Sequence, residues 1–206
     1  VLSVNKTDEH YTIGTSKGTY EAKNIIVATG FYEIANKLNI TGEELPKVKH
    51  YYDDPHYYAL QKVVVVGSSN SAIDVALETW RKGAEVTLVI RDAEVSHRVK
   101  YWVRPDILNR IKEGSIKAYF NSNLTAIREQ DVEIQTPEGK ITIPNDFVMA
   151  MTGYRPNFEF LKKIGINLST DAKLLPEYNK ETMETNLKGI YLAGVVCGGM
   201  DTHLWF

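Results

Sequence analysis

Gly67, Ser69 and Ala72 stand at the spacing of the turn that holds a dinucleotide's pyrophosphate, G-x-G-x-x-G/A. The chemistry of such a turn is anion binding by backbone. A pyrophosphate at a helix N-terminus meets unpaired N–H groups and the positive end of the macrodipole, provided little side-chain bulk intervenes. Ser69 departs from the glycine of the pattern. Serine is small and its hydroxyl can bond a phosphate oxygen, but it takes positive φ less readily than glycine. Downstream, a carboxylate about 20 residues past the glycines would bond a ribose 2′-hydroxyl, whereas an arginine there suits a 2′-phosphate. The chain has Arg91, with His97, Arg98 and Lys100 in the same loop, which favours NADP over NAD. Asp92 is the opposing signal, since turned inward it would still reach a ribose hydroxyl. A solvated basic loop is the other reading of this cluster.

Positioning these residues takes a strand, a helix and a second strand. Val63 to Val66 is a continuous β-branched run, the pattern of a parallel strand buried on both faces. Gly67 ends it. From Ser71 to Lys82 the positions Ala72, Val75, Ala76 and Thr79 follow helical spacing, and Gly83 supplies the left-handed stop. Val86 to Ile90 makes the second strand. A βαβ crossover with no ligand has the same pattern, so context must decide.

The 206 residues allow one large or two small domains, and 43% hydrophobic with 24% charged residues is an ordinary globular composition. A net charge of -2 gives no overall drive toward nucleic acid or anionic membrane. No apolar stretch approaches the roughly 20 residues of a membrane span, and no signal peptide is visible. The single cysteine, Cys197, excludes an internal disulfide and makes cytoplasmic residence the default. No metal-ligating cluster is visible. The start at Val1 and the apolar end His203-Leu204-Trp205-Phe206 both look cut.

In chain order, short alternating runs at Val1 to Lys6, Tyr11 to Thr15 and Thr19 to Ala22, with Asp8-Glu9-His10 and Ser16-Lys17-Gly18 as turns, predict an antiparallel meander. An apolar strand, Ile25 to Gly30, follows and ends in Thr29-Gly30. The pattern returns at nearly the same length: Leu124 to Arg128, Val132 to Thr136, Ile141 to Ile143, then Phe147 to Gly153, again ending in Thr-Gly. The second copy follows a complete βαβ unit and the first does not, so about 100 residues are expected to be missing before Val1. Between the copies, Phe31 to Gln61 carries five of the 12 tyrosines and reads as an inter-domain crossing packed by aromatic rings, with a flavin-stacking tyrosine as an alternative. A helix is expected from Pro105 or Asp106 to Lys112, a parallel strand at Ile116 to Phe120, a loop at Tyr154 to Asn157, a short helix at Phe158 to Ile164, and a buried strand at Gly189 to Gly194.

Two Thr-Gly strand ends around a complete nucleotide unit, with the closing GIYLAG strand, resemble the thioredoxin reductase-like two-dinucleotide-domain flavoproteins. NIIVATGFY at Asn24 to Tyr32, VVVGSSNSAIDVALE at Val64 to Glu78, VKYWVRPDI at Val99 to Ile107, MTGYRPN at Met151 to Asn157 and GIYLAGVVCGGMDTH at Gly189 to His203 are most similar to the YpdA family of bacillithiol disulfide reductases. The resemblance implies an α/β fold: a Rossmann-like NADPH-binding domain, with a parallel sheet plus an antiparallel meander, inserted in a discontinuous and here incomplete FAD-binding domain. The boundaries it implies are 1–58 for the first FAD-domain part and crossover, 59–156 for the NADPH domain and 157–206 for the return.

By the same resemblance Gly67, Ser68, Ser69, Asn70 and Ser71 would hold the NADPH pyrophosphate, and Arg91 and Arg98 its 2′-phosphate. Thr152, Gly153 and Tyr154 would line the nicotinamide side, and Thr29, Gly30 and Gly194 would lie against FAD. Val195 stands where related reductases usually carry a flavin-binding aspartate. The implied enzyme passes hydride from NADPH to FAD and on to a low-molecular-weight thiol disulfide, as a homo-oligomer when full length. Its FAD fingerprint is absent here, so this stretch alone is expected to be colourless and inactive. No catalytic side chain is identifiable; Cys197 reads as a small buried residue rather than a redox thiol, and His203 beside Asp201 as structural. A flavin-dependent monooxygenase, a ferredoxin–NADP reductase-like enzyme and a non-catalytic nucleotide-binding module stay open.

Overall fold

The computed structural model describes residues 1–7 and 9–201. Asp8, in the first expected turn, and His203 lie outside them. Two compact units form, one from Val1–Ile34 with the described residues from Tyr154 onward, the other from Ala35–Gly153. Residues 35–58, grouped above with the first domain, fold with the second unit.

The first unit opens with an antiparallel meander of β1 (Ser3–Lys6), β2 (Tyr11–Thr15) and β3 (Gly18–Ala22), followed by β4 (Ile25–Val27). The chain enters the second unit at the two-residue strand β5 (Ile34–Ala35). There, β6 (Val48–Lys49), β7 (Lys62–Val66), β8 (Glu85–Val89), β9 (Lys117–Tyr119) and β13 (Phe147–Ala150) make one all-parallel sheet in the order β6-β13-β7-β8-β9. Helices α1 (Asn70–Arg81) and α2 (Arg104–Lys112) are the crossovers after β7 and β8. A second meander, β10 (Asn123–Ile127), β11 (Asp131–Thr136) and β12 (Gly139–Pro144), precedes β13.

The valine run of β7 is buried on both faces, as its composition requires. Val63 and Val65 pack with Ile73, Val75 and Leu77 of α1 and Ile107 of α2, whereas Val64 packs with Leu124, Val132 and Ile134 of the meander. Each such valine contributes about 2 kcal/mol by area removed from water. Helix α1 stops where Gly83 takes φ 89°, and α2 where Gly114 takes φ 81°.

The aromatic segment contains the passage into the second unit at Ile34–Ala35, and its Tyr52 and Tyr58 pack inside that unit. Tyr58 is 3% exposed, lies edge-on to Phe147 with ring centroids 5.1 Å apart, and stacks with Tyr52 at 6.2 Å. The adjoining β6 is a two-residue edge strand that pairs Val48 with Val148.

Back in the first unit, Tyr154–Arg155, expected as loop, is a two-residue strand, β14. Pro156 accounts for it, because proline holds the preceding residue extended. Next come α3 (Phe158–Lys163), capped by the Asn157 side chain accepting from the Phe160 N–H, and β15 (Ile190–Leu192), parallel to β4. The unit's core gathers Tyr11, Val27, Phe158, Leu161, Ile190 and Leu192. Each unit thus holds a three-stranded meander followed by a strand that enters a parallel pairing.

Glu133 ties the second meander together. It accepts hydrogen bonds from the Thr125 hydroxyl at 2.6 Å and the Lys140 ammonium at 2.9 Å, and these hold its carboxyl down at about 2. A group with a depressed folded pKa stabilises the fold above its unfolded value, 4.5, and that stabilisation is lost as pH falls through about 2. Acid unfolding followed by circular dichroism should therefore be less steep between those pH values in Glu133→Gln than in the unaltered chain; identical profiles would show that these bonds do not contribute.

Candidate dinucleotide-binding site

The strand order reverses at β7: β8 and β9 lie on one side of it and β13 on the other. In open parallel sheets this is where a crevice opens beyond the strands' carboxyl ends. Gly67 follows β7 at that point with φ 134°, and a Cβ there would stand 2.6 Å from the Met151 carbonyl oxygen and 3.0 Å from the Ala72 Cβ. Only glycine fits both the backbone angle and the space. Ser69, by contrast, is extended, with φ -98° and ψ -176°, so the serine at the middle position costs nothing in backbone strain.

Ser69 is the N-cap of α1, yet its hydroxyl makes no capping bond. The first intrahelical bond runs from the Ile73 N–H to the Ser69 carbonyl at 3.0 Å. The N–H groups of Asn70, Ser71 and Ala72 therefore have no partner within the helix and face its open end. The positive end of a 12-residue helix thus stands directly behind a turn without side-chain bulk.

A cleft of about 520 Å³ opens there. Its lining includes Gly67, Ser68, Ser69 and Ser71 from the turn, Arg91 from the end of β8, and Thr152 and Gly153 from the end of β13. Asn36, Lys37 and Leu38 close one side, and Ser122 and Asn123, past β9, also contribute. Arg91 and Lys37 are cations, and among the described residues no carboxylate is part of the cleft's lining. Asp92 does not enter it; the Ser68 hydroxyl donates to the Asp92 carboxylate at 3.4 Å. Asn36 is held in place by its N–H on the Gly153 carbonyl at 3.0 Å and by the Thr152 hydroxyl donating to its carbonyl at 2.7 Å. No local pattern marks Asn36 to Leu38, whereas Ser122 and Asn123 follow a parallel strand whose carboxyl end was legible.

Three residues expected at the nucleotide, Asn70, Arg98 and Tyr154, are not part of this lining. Arg98 is exposed and does not line the cleft. The Asn70 amide turns toward the basic loop, donating to the Arg98 carbonyl at 3.0 Å and accepting from the Lys100 N–H at 2.9 Å. His97 pairs with Glu94 at 3.0 Å and Lys100 with Asp74 at 3.1 Å, so much of the loop's positive charge is spent locally.

Residues 1–194 match the family model described as pyridine nucleotide-disulphide oxidoreductase. The chain belongs to this family. It is 42% identical over 194 residues to the bacilliredoxin reductase Bdr of Bacillus subtilis, covering 94% of this chain and 60% of that protein. Among solved structures, the bacillithiol disulfide reductase Bdr (YpdA) from Staphylococcus aureus matches with a TM-score of 0.92 and 42% identity, over 100% of this chain and 64% of that one. The Bacillus cereus counterpart matches at 0.89 and 38%, over 97% and 63%. This chain therefore spans a little under two thirds of these relatives.

The family's pyridine nucleotide fits the cleft: a cradle that a Cβ would fill, a helix end facing it, and the cations Arg91 and Lys37 in its lining, Arg91 with Asp92 beside it at 3.8 Å. In the first unit, Gly30 and Gly194 take φ 73° and 75° just past the parallel strands β4 and β15, and a Cβ at either would meet nothing within 4 Å. Thr29 beside Gly30 is exposed. Open, glycine-bearing strand ends of this kind let a ligand approach the backbone. Tyr154 belongs to this unit and lies edge-on to Tyr32 at 5.1 Å. Val195, where related reductases usually have an acid, is 41% exposed. Cys197 is 1% exposed, and burial pushes its thiol up. A redox cysteine of this family would need access and a lowered pKa, so Cys197 serves packing.

Proposed function

We propose that the chain contributes the NADPH-binding domain and part of the FAD-binding domain of a flavin disulfide reductase acting on a low-molecular-weight thiol disulfide. One observation carries the nucleotide assignment: Arg91 lines the cleft at the end of β8, beside a glycine turn on a helix N-terminus. The similarity to bacilliredoxin and bacillithiol disulfide reductases supports the substrate class. Cytoplasmic residence and homo-oligomerisation of the whole protein belong to the same proposal.

Gly67 to Ser71 would hold the pyrophosphate through the N–H groups of the turn and first helical turn. Arg91 would pair with the 2′-phosphate, and Thr152 and Gly153 would bound the nicotinamide half. Gly30 and Gly194, with Thr29, would leave room for FAD against the first unit's strand ends. Held there, the nicotinamide would supply hydride chemistry, and FAD the electron transfer to a disulfide. The share of these residues is to bind and orient.

Arg91→Ala should weaken NADPH binding by about 10- to 100-fold, the loss of one charge-assisted phosphate contact, and leave NADH within about twofold. Titration calorimetry with both nucleotides checks this. Equal losses would remove Arg91 from the 2′-phosphate.

A further inference from the structure

The basic loop after β8 is tied to the phosphate turn by hydrogen bonds. From Arg91 to Val103 it contains no helix or strand, and its cationic side chains are mostly exposed. What fixes it to the phosphate turn is a small set of bonds from the start of α1. The Asn70 side chain makes two of them, to the backbone on either side of Val99, and the Ser96 N–H donates to the Ser68 carbonyl at 3.1 Å. Between the two residues held by Asn70, Val99 is buried in the core with Val95.

An amide is the side chain that does this, because one group must both donate to a carbonyl and accept from an N–H. Aspartate would accept only, and would place a charge at the anion site. Both functional atoms of the Asn70 amide are engaged on the loop, which leaves the Asn70 backbone N–H for the helix end. We infer that Asn70 is a positioning residue for nucleotide choice. It holds the loop so that Arg91 presents its charge at the 2′-phosphate, and its side chain does not bind the pyrophosphate. This inference rests on the nucleotide reading proposed above.

The distinction has a direct consequence. The pyrophosphate is common to NADPH and NADH, whereas the 2′-phosphate belongs to NADPH alone. In the 206-residue chain, Asn70→Ala should weaken NADPH by about tenfold, leave NADH within about twofold, and make NADPH binding less sensitive to salt. Asn70→Ala combined with Arg91→Ala should lose less than the sum of the single losses, because Asn70 acts through the placing of Arg91. Equal weakening of both nucleotides by Asn70→Ala would overturn the inference and put the side chain on the pyrophosphate; no change in either would overturn it as well.

Amide hydrogen exchange reads the same clamp without any substitution. The Lys100 N–H should be protected in the free chain, and NADPH should deepen that protection more than NADH does. An unprotected Lys100 N–H, or equal deepening by both nucleotides, would overturn the clamp. If the unaltered chain bound neither nucleotide, the nucleotide reading itself would fall, and the inference with it. That result differs from equal loss in the variant.

Discussion

Gly67→Val is expected to reduce NADPH affinity by at least about 100-fold, equivalent to ~2.7 kcal/mol. Two costs combine. The residue sits at φ 134°, which a β-branched side chain does not adopt without strain, and its Cβ would press on the Met151 carbonyl, a backbone group at the end of β13. Relief requires the turn and the β13 end to part, and these are two walls of the cleft. NADH should be lost in parallel with NADPH, in contrast to Arg91→Ala, because the turn serves the pyrophosphate. Calorimetry with both nucleotides checks this, with circular dichroism to show that α1 and the sheet persist. Retained affinity in a folded variant would move the pyrophosphate away from Gly67.

Leu88→Ala is expected to cost the second unit about 3 kcal/mol. Leu88 is fully buried on β8, in the cluster that joins α1, α2 and the parallel sheet, so truncation leaves a cavity that the paired strands cannot close by moving. Its midpoint of thermal unfolding should fall by roughly 10 °C. With two compact units, scanning calorimetry should show the shift in one transition while the other keeps its place. A displacement of both by the same amount would show that the units unfold together.

The sequence reading and the structure agree where the pattern is long and local. The valine run, the small-residue turn, the α1 periodicity and the Gly83 stop lie within one continuous stretch, and each is set by neighbours a few residues away. The two meanders were legible for the same reason. Residues 35–58 were not: Val48–Lys49 is a two-residue strand defined only by pairing with a segment about a hundred positions later, and its side chains carry no period. Of the tyrosines there, Tyr52 and Tyr58 pack into the second unit, whereas Tyr51 and Tyr57 are exposed.

The site shows the same division. Gly67, Ser68, Ser69, Ser71, Arg91, Thr152 and Gly153 line one cleft because parallel strands bring their carboxyl ends to one edge. Asn36 joins them through hydrogen bonds with Thr152 and Gly153 and brings its neighbour Lys37 along, which no local signal foretells. Asn70 has the right address and a different task, since the direction of an amide depends on where the loop returns. The exposed Arg98 shows that a cation near a site in sequence need not line it.

The most direct test of the central claim, that a pyridine nucleotide's phosphates bind at the α1 N-terminus with the 2′-phosphate at Arg91, is amide chemical-shift mapping of the chain titrated with NADPH. The account predicts that the largest shifts fall on Gly67 to Ala72, Arg91 and Thr152 to Gly153, and that NADH reproduces those of the turn while sparing Arg91. Shifts concentrated away from the α1 N-terminus, or identical effects of the two nucleotides at Arg91, would contradict it.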